Sequence, residues 1–290
     1  MNLIDTSYTK IEDNTMWQNL PSHIDPVIIS IGSFSIHYYG LMYIVAISLS
    51  YFLTHYRIKH ENLSYNKEDI ESLYVWGVIG MLLGARLGYV LFYDFTYFMT
   101  HPLQILLPFK FEGGFTFTGF RGMSYHGGAL GAALSAYIYI RRHKFDFFEL
   151  ADLVTPTLAI GYTFGRIGNF INGELYGRVT DSAIGMYFPR DGSKSLRHPS
   201  QLYEAFFEGI VLFTILWLIK KNKHFKYMML PLYFIGYGFF RFFIEFFREP
   251  DAHLGFIAGP FSMGQLLCIL MMIGGLLFAL IIKKFYKKSQ

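Results

Sequence analysis

The chain has 290 residues, of which 53% are hydrophobic, 19% aromatic and only 16% charged, and its mean hydropathy is positive. Ordinary soluble domains carry about 25% charged residues, so this composition excludes that class and points to a polytopic membrane protein. The net charge of +4 does not argue for a nucleic-acid partner, because the basic residues fall in short clusters between apolar runs and form no single face.

The first 25 residues, with Asp5, Lys10, Glu12, Asp13 and Asn14 spread among them, lack the basic start and apolar stretch of a cleavable signal. Insertion is expected to use the spans themselves. Seven stretches have the length and apolarity to cross a hydrocarbon core, which takes about 20 helical residues. They lie near 32–53, 72–92, 123–140, 148–170, 203–219, 227–246 and 262–282, the third and fifth being short. The expected fold is all-α, a polytopic helical bundle with 1–290 as a single transmembrane domain.

Basic clusters alternate with the spans. Arg57, Lys59 and Lys67 follow the first, Arg141, Arg142 and Lys144 the third, Lys220, Lys221, Lys223 and Lys226 the fifth, and Lys283, Lys284, Lys287 and Lys288 the seventh. The positive-inside rule puts these segments in the cytoplasm, leaving the N-terminus outside and the C-terminus inside. The turn-rich composition of Asp181–Pro199 then predicts a small external head near 171–202.

Gly80, Gly84 and Gly88 in the second span lay a flat strip on one helical face, as close helix packing requires. Arg86 interrupts that span; it either snorkels, pairs with a carboxylate or joins a site. The single cysteine, Cys268, lies in an apolar run and reads as a small core residue, which excludes an intramolecular disulfide or a Cys-rich metal motif.

Four groups carry polar chemistry in or beside the spans: H-Y-Y-G at 37–40, Y-H-G-G-A-L-G at 125–131, G-R-I-G-N-F-I-N-G-E-L-Y-G-R at 165–178 and G-Y-G-F-F-R-F-F-I-E-F-F-R at 236–248. An ionisable group at mid-bilayer costs about 2.5–3.5 kcal/mol on insertion scales, so several in one chain imply mutual pairing or a bound anion. Arg241 and Glu245 are four apart and share a helical face with Tyr237. If Arg166 and Arg241 converge, they make a bidentate clamp for a phosphodiester.

Together with R-H-P-S-Q-L-Y-E at 197–204 and R-F-F-I-E-F-F-R-E-P-D at 241–251, these motifs closely resemble the bacterial prolipoprotein diacylglyceryl transferases, from about Asp25 to the last span. The resemblance implies an inner-membrane enzyme that moves the diacylglyceryl group of phosphatidylglycerol to the lipobox cysteine thiol of a preprolipoprotein. A thioether forms and glycerol phosphate leaves. It further implies, as partners, phosphatidylglycerol, the preprolipoprotein signal peptide and the lipid bilayer, with no cofactor, metal or nucleic acid.

Carried over by motif, the family's essential residues fall on Tyr39, His126, Arg166, Asn169, Glu174, Gly177, Tyr237, Arg241 and Glu245, with His198 a further candidate. Arg166 and Arg241 suit the lipid phosphate and the charge growing on the leaving group. Asn169 and Asn172 either hydrogen-bond the lipid glycerol or hold the loop, and Gly177 marks a backbone position that admits no side chain. A thiol has a pKa of about 8.5 and benefits from a base. His126 is the candidate by type, with Glu174, Glu245 and the departing phosphate as rivals. One departure is visible, since Lys110–Met123 is longer than the family's approach to H-G-G and predicts an enlarged outer loop.

The main competing reading is a transporter of a phosphorylated or carboxylated solute, whose anion path internal arginines also suit; no convincing inverted repeat accompanies it. An intramembrane protease built on Ser124 lacks a G-x-S-G motif, and the ten histidines show no metal-ligand spacing.

Overall fold

The computed structural model describes residues 16–32, 34–105, 107, 109–110, 116–117, 122–249, 256–258 and 261–286. Among the described residues seven long helices dominate: α1 (Tyr38–Glu61), α2 (Lys67–Phe92), α3 (Tyr125–Arg142), α4 (Phe147–Ile171), α5 (Ser200–Ile219), α6 (Met229–Ile244) and α7 (Met263–Tyr286). Each overlies one of the apolar stretches read from the sequence. Among the described residues, α1, α2, α5 and α7 are long and apolar enough to cross a membrane, and α6 is apolar but shorter. The chain is a helical multi-pass membrane protein. Its strands are short and pair antiparallel in hairpins: β1 (Val27–Ile31) with β2 (Phe34–His37), β3 (Phe109–Lys110) with β4 (Thr116–Phe117), and β5 (Phe256–Ala258) with β6 (Phe261–Ser262).

The chain forms two compact units, one of residues 51–153 and the other of the described residues up to Ser50 together with those from Val154 onward. In the first, α2 shows two distinct faces. Val75, Ile79, Leu83, Leu87 and Leu91 recur every four residues and are exposed, as suits lipid. Gly80, Gly84 and Gly88 form the other stripe and lie against α3, where a Cβ at Gly84 would collide with the Gly127 carbonyl and come within 2.7 Å of Gly131 Cα. The expected packing strip is therefore met by a second one on α3, and the glycine after His126 is part of it.

Arg86 is buried and donates through Nε to Ile105 O and through its terminal nitrogens to Gln104 O and Gly122 O. It ties Gln104 and Ile105 on one side of residues 106–121 to Gly122 on the other, so backbone carbonyls are among the partners of its charge. The enlargement expected at 110–123 falls mostly on 111–115 and 118–121, outside the described residues.

Arg57, assigned to a cytoplasmic cluster by charge, has a structural task. Pro156 inside α4 has no N–H, so the carbonyl four residues earlier loses its helical donor. That carbonyl is Asp152 O, and Arg57 donates to it at 2.6 Å and to Leu153 O at 2.7 Å, while Glu61 balances the guanidinium at 2.9 Å.

In the other unit, Ala159, Leu212, Leu216 and Met229 form a buried core among α4, α5 and α6. Gly238 lets α6 approach α7, since a Cβ there would come within 3.0 Å of Cys268 O; Cys268 itself is a buried free thiol. Between α4 and α5 the chain folds into a small head without helix. Phe170, Met186 and Phe188 form its core, with Leu20, Ile24, Tyr176 and Leu202 packed against them. Backbone bridges join Met186 and Val179 to Arg197, and Gly177 to Arg248.

Candidate active site

The site grows from the end of α4. Gly173, at φ +62°, terminates the helix: its N–H donates to Phe170 O at 2.9 Å and that of Glu174 to Asn169 O at 3.1 Å, the pattern of a left-handed glycine cap. The reversal brings the Glu174 carboxylate back over the last turn. There it accepts from Asn169 Nδ2 at 3.0 Å and Asn172 Nδ2 at 3.2 Å, and its other oxygen faces Arg190 at 3.5 Å. Asn169 Oδ1 in turn accepts from Arg166 at 3.3 Å. A continuous polar chain thus runs from a buried guanidinium to the half-exposed Arg190.

Arg166 and Arg241 do converge, and they do so on a carboxylate. Glu204 Oε2 lies 2.8 Å from Arg166 Nε and 3.0 Å from Arg241 Nη1, and its side chain is 0% exposed. Glu204 Oε1 faces Arg248 at 3.5 Å. Glu245 lies 3.4 Å from Arg241 and 3.8 Å from Arg248, and its Oε1 accepts from the Ser262 hydroxyl at 3.1 Å. Glu208, one turn beyond Glu204, stands 3.8 Å from Arg241. Three guanidiniums and three carboxylates therefore interlock, each arginine keeping a narrow accessible edge.

Local backbone explains how α5 reaches in so far. Residues Ala205–Val211 form a π-helix, a form that concentrates at functional positions. Gly209 on it seats against Thr163 of α4, whose hydroxyl a Cβ would strike, and that hydroxyl donates to Ala205 O at 3.2 Å. The close approach carries Glu204 and Glu208 under the arginines. Two phenols roof the cluster: Tyr162 OH accepts from Arg166 Nε at 2.7 Å and lies 3.3 Å from Tyr237 OH.

The remaining candidates take varied places. Tyr39 shares a hydroxyl contact of 3.2 Å with Tyr43 and packs over Gly168 of α4, where an added Cβ would sit 3.0 Å from its ring. Gly177 donates to His198 O at 2.8 Å, and a Cβ there would collide with Phe247 O and lie 2.8 Å from His198 Cβ. Its requirement is close backbone approach. His198 bonds Tyr203 OH at 3.1 Å, and burial pushes its imidazole below the usual histidine value. His126 belongs to the other unit, exposed in the first turn of α3, where Ser124 caps the helix.

Glu204, Glu208, Arg248 and Tyr162 were missed from sequence. Glu204 closes the R-H-P-S-Q-L-Y-E motif and Glu208 follows it four residues later inside an apolar helix, and that pair was the available signal.

A model of the prolipoprotein diacylglyceryl transferase family matches residues 26–281. The chain belongs to this family. It is 55% identical over 267 residues to the phosphatidylglycerol–prolipoprotein diacylglyceryl transferase of Chlorobaculum tepidum, covering 92% of each chain. Its similarity to the enzyme of that name from Treponema denticola is 41% over 324 residues, covering 93% of this chain and 96% of the relative. For that of Bordetella avium the identity is 46% over 255 residues, with 87% and 92% covered. The arginine–glutamate cluster thus lies in a member of a transferase family.

Proposed function

We propose that Arg166 and Arg241 hold the phosphate of phosphatidylglycerol through the edges that Glu204 leaves free. The enzyme transfers the diacylglyceryl group of phosphatidylglycerol to the cysteine thiol of prolipoproteins, forming a thioether and releasing glycerol phosphate. The observation carrying the arginine assignment is their convergence on one oxygen, Glu204 Oε2, at 2.8 and 3.0 Å, in a setting where two cations together favour an anion. By stabilising charge on the departing phosphate they lower the barrier to displacement at the glycerol carbon. The thiol comes from the substrate, so Cys268 has no part in the chemistry.

Asn169 and Asn172 hold Glu174 in place and orient the Arg166 side of the clamp. Tyr237 lies beside Tyr162 over the arginines, Tyr39 packs on α4 at Gly168, Glu245 holds Arg241 from the far side, and Gly177 and His198 join the head to the turn after α6. His126 is the candidate for accepting the thiol proton, by type and by family motif. The topology supported by the basic clusters is seven spans, with the N-terminus and the head periplasmic, the C-terminus cytoplasmic, and the chain in the bacterial inner membrane. Purified chain with phosphatidylglycerol and a lipobox peptide tests this: Arg166→Ala and Arg241→Ala are expected to abolish turnover while the fold persists, and full activity in both overturns the clamp.

A further inference from the structure

Counting charge in the cluster raises a constraint that pairing alone does not. Among the side chains that share ion pairs, Arg166, Arg241 and Arg248 carry three positive charges and Glu204, Glu208 and Glu245 three negative ones when ionised; Arg178 at the margin donates to the Arg248 and Glu245 carbonyls and pairs with none of these carboxylates. The arginine side chains are 13–14% exposed and the glutamates 0–9%. A balanced, buried set gains nothing from an added anion, because the extra charge is left uncompensated in a medium of low polarity. A phosphodiester can bind there favourably only if one negative charge is removed at the same time.

The three carboxylates differ in what they lose on taking up a proton. Glu204 holds two arginines at 2.8 and 3.0 Å and receives a hydrogen bond from Tyr162 at 3.4 Å. Glu245 receives a hydrogen bond from Ser262 and faces two arginines. Glu208 is fully buried, its ion pair to Arg241 is long at 3.8 Å, and among the described residues neither of its oxygens has a partner within hydrogen-bond distance, the Tyr162 phenol acting on it only from beyond that distance. The groups acting on it are Arg166 and the neutral Tyr162 phenol from α4, Glu204 from its own helix and Arg241 from α6, and Cys268 of α7 lies within its field. It is the member with the least to lose when neutralised.

We propose that Glu208 is the charge-compensating residue of the phosphate site, taking up one proton from bulk solvent as the lipid phosphate binds and returning it when the anionic product leaves. The inference rests on the Arg166–Arg241 reading of the site. No bond is made or broken at Glu208, and the thiol proton follows its own route to a separate base and to water.

The test is calorimetric titration of the full-length, detergent-solubilised chain with short-chain phosphatidylglycerol, in two buffers of different ionisation heat. Wild type is expected to take up about one proton per lipid bound, and its apparent Kd to weaken about tenfold per pH unit on the alkaline side, as linkage of one proton requires. Glu208→Gln, a neutral isostere, is expected to bind with no proton uptake and a flat pH profile; in turnover its KM loses its pH dependence while kcat keeps its own. Binding to wild type without proton uptake overturns the inference and leaves the arginine reading standing. Persistence of uptake in a folded Glu208→Gln assigns the proton elsewhere and also overturns it. Lipid binding unaffected by Arg166→Ala and Arg241→Ala overturns the arginine reading and the inference together. The wild-type proton count needs no variant, so absence of uptake overturns the inference even if Glu208→Gln fails to fold.

Discussion

Arg166 on α4 and Arg241 on α6 meet on the same oxygen, Glu204 Oε2, at 2.8 and 3.0 Å. Two cations this close, both largely removed from water, need an anion between them to coexist, and the protein supplies its own. The lipid phosphate therefore meets guanidiniums already fixed in direction, which is the sense in which the site is preorganised.

Removing that internal anion exposes its role. Glu204→Ala leaves buried arginines uncompensated and is expected to destabilise the fold by about 3–5 kcal/mol, with Glu204→Gln less harmful because it keeps the shape and one acceptor. Thermal unfolding of both variants in detergent checks the order; an unchanged midpoint in Glu204→Ala contradicts it.

Arg57 and Pro156 make a second pair whose coupling can be measured. Arg57→Met withdraws the donors on Asp152 O and Leu153 O, and a buried carbonyl left alone costs about 1–3 kcal/mol. Pro156→Ala restores a backbone N–H for Asp152 O, so Arg57→Met is expected to cost less in that background. A double-mutant cycle with zero interaction energy rejects this account.

Gly84 and Gly127 set the distance between α2 and α3. Gly84→Val brings side-chain atoms onto the Gly127 carbonyl and is expected to destabilise the 51–153 unit by about 1–3 kcal/mol, the usual cost of overpacking. Leu83→Val, on the exposed stripe beside it, is expected to change little. Equal melting points for the two variants contradict the packing role of the glycine strip.

The head has its own pH dependence. Asp191 accepts from Arg197 at 2.7 Å and from Ser193 at 2.6 Å, and the Arg197 guanidinium foremost holds its carboxyl down to about 2. The unfolded value is about 3.9. Since the folded value is the lower one, the pair's stabilisation is complete above the unfolded value and disappears as pH falls through the folded one. Asp191→Asn is expected to flatten the loss of thermal stability between about pH 5 and about pH 2, and an identical acid slope in wild type and variant contradicts it.

Much of this was open to reading in the sequence. Hydrophobic length located the helices, because a lipid-facing helix must be apolar along its length, and the four-residue glycine spacing announced a close helix contact on α2, though not that α3 makes it. Arg241 and Glu245 were legible as a pair because helix geometry fixes what is four residues apart. Glu204 was not, since it is 38 residues from Arg166 and 37 from Arg241, and no local period links them. Nor did the sequence announce the π-helix that carries Glu208 inward, or that Arg57 serves the carbonyls of Asp152 and Leu153, because an orphaned carbonyl finds such a donor only once the proline-containing helix has its partner beside it.

The central claim is that paired arginines bind the phosphate of the lipid donor while a substrate thiol displaces it. Its most direct measurement is release of glycerol phosphate by the purified chain from phosphatidylglycerol, with and without a lipobox peptide, with mass analysis of the peptide. The account predicts release only when the peptide cysteine is present, one diacylglyceryl thioether per glycerol phosphate, and loss of both products in Arg166→Ala and Arg241→Ala. Thioether formation at wild-type rate in both variants, or glycerol phosphate release that ignores the peptide cysteine, contradicts it.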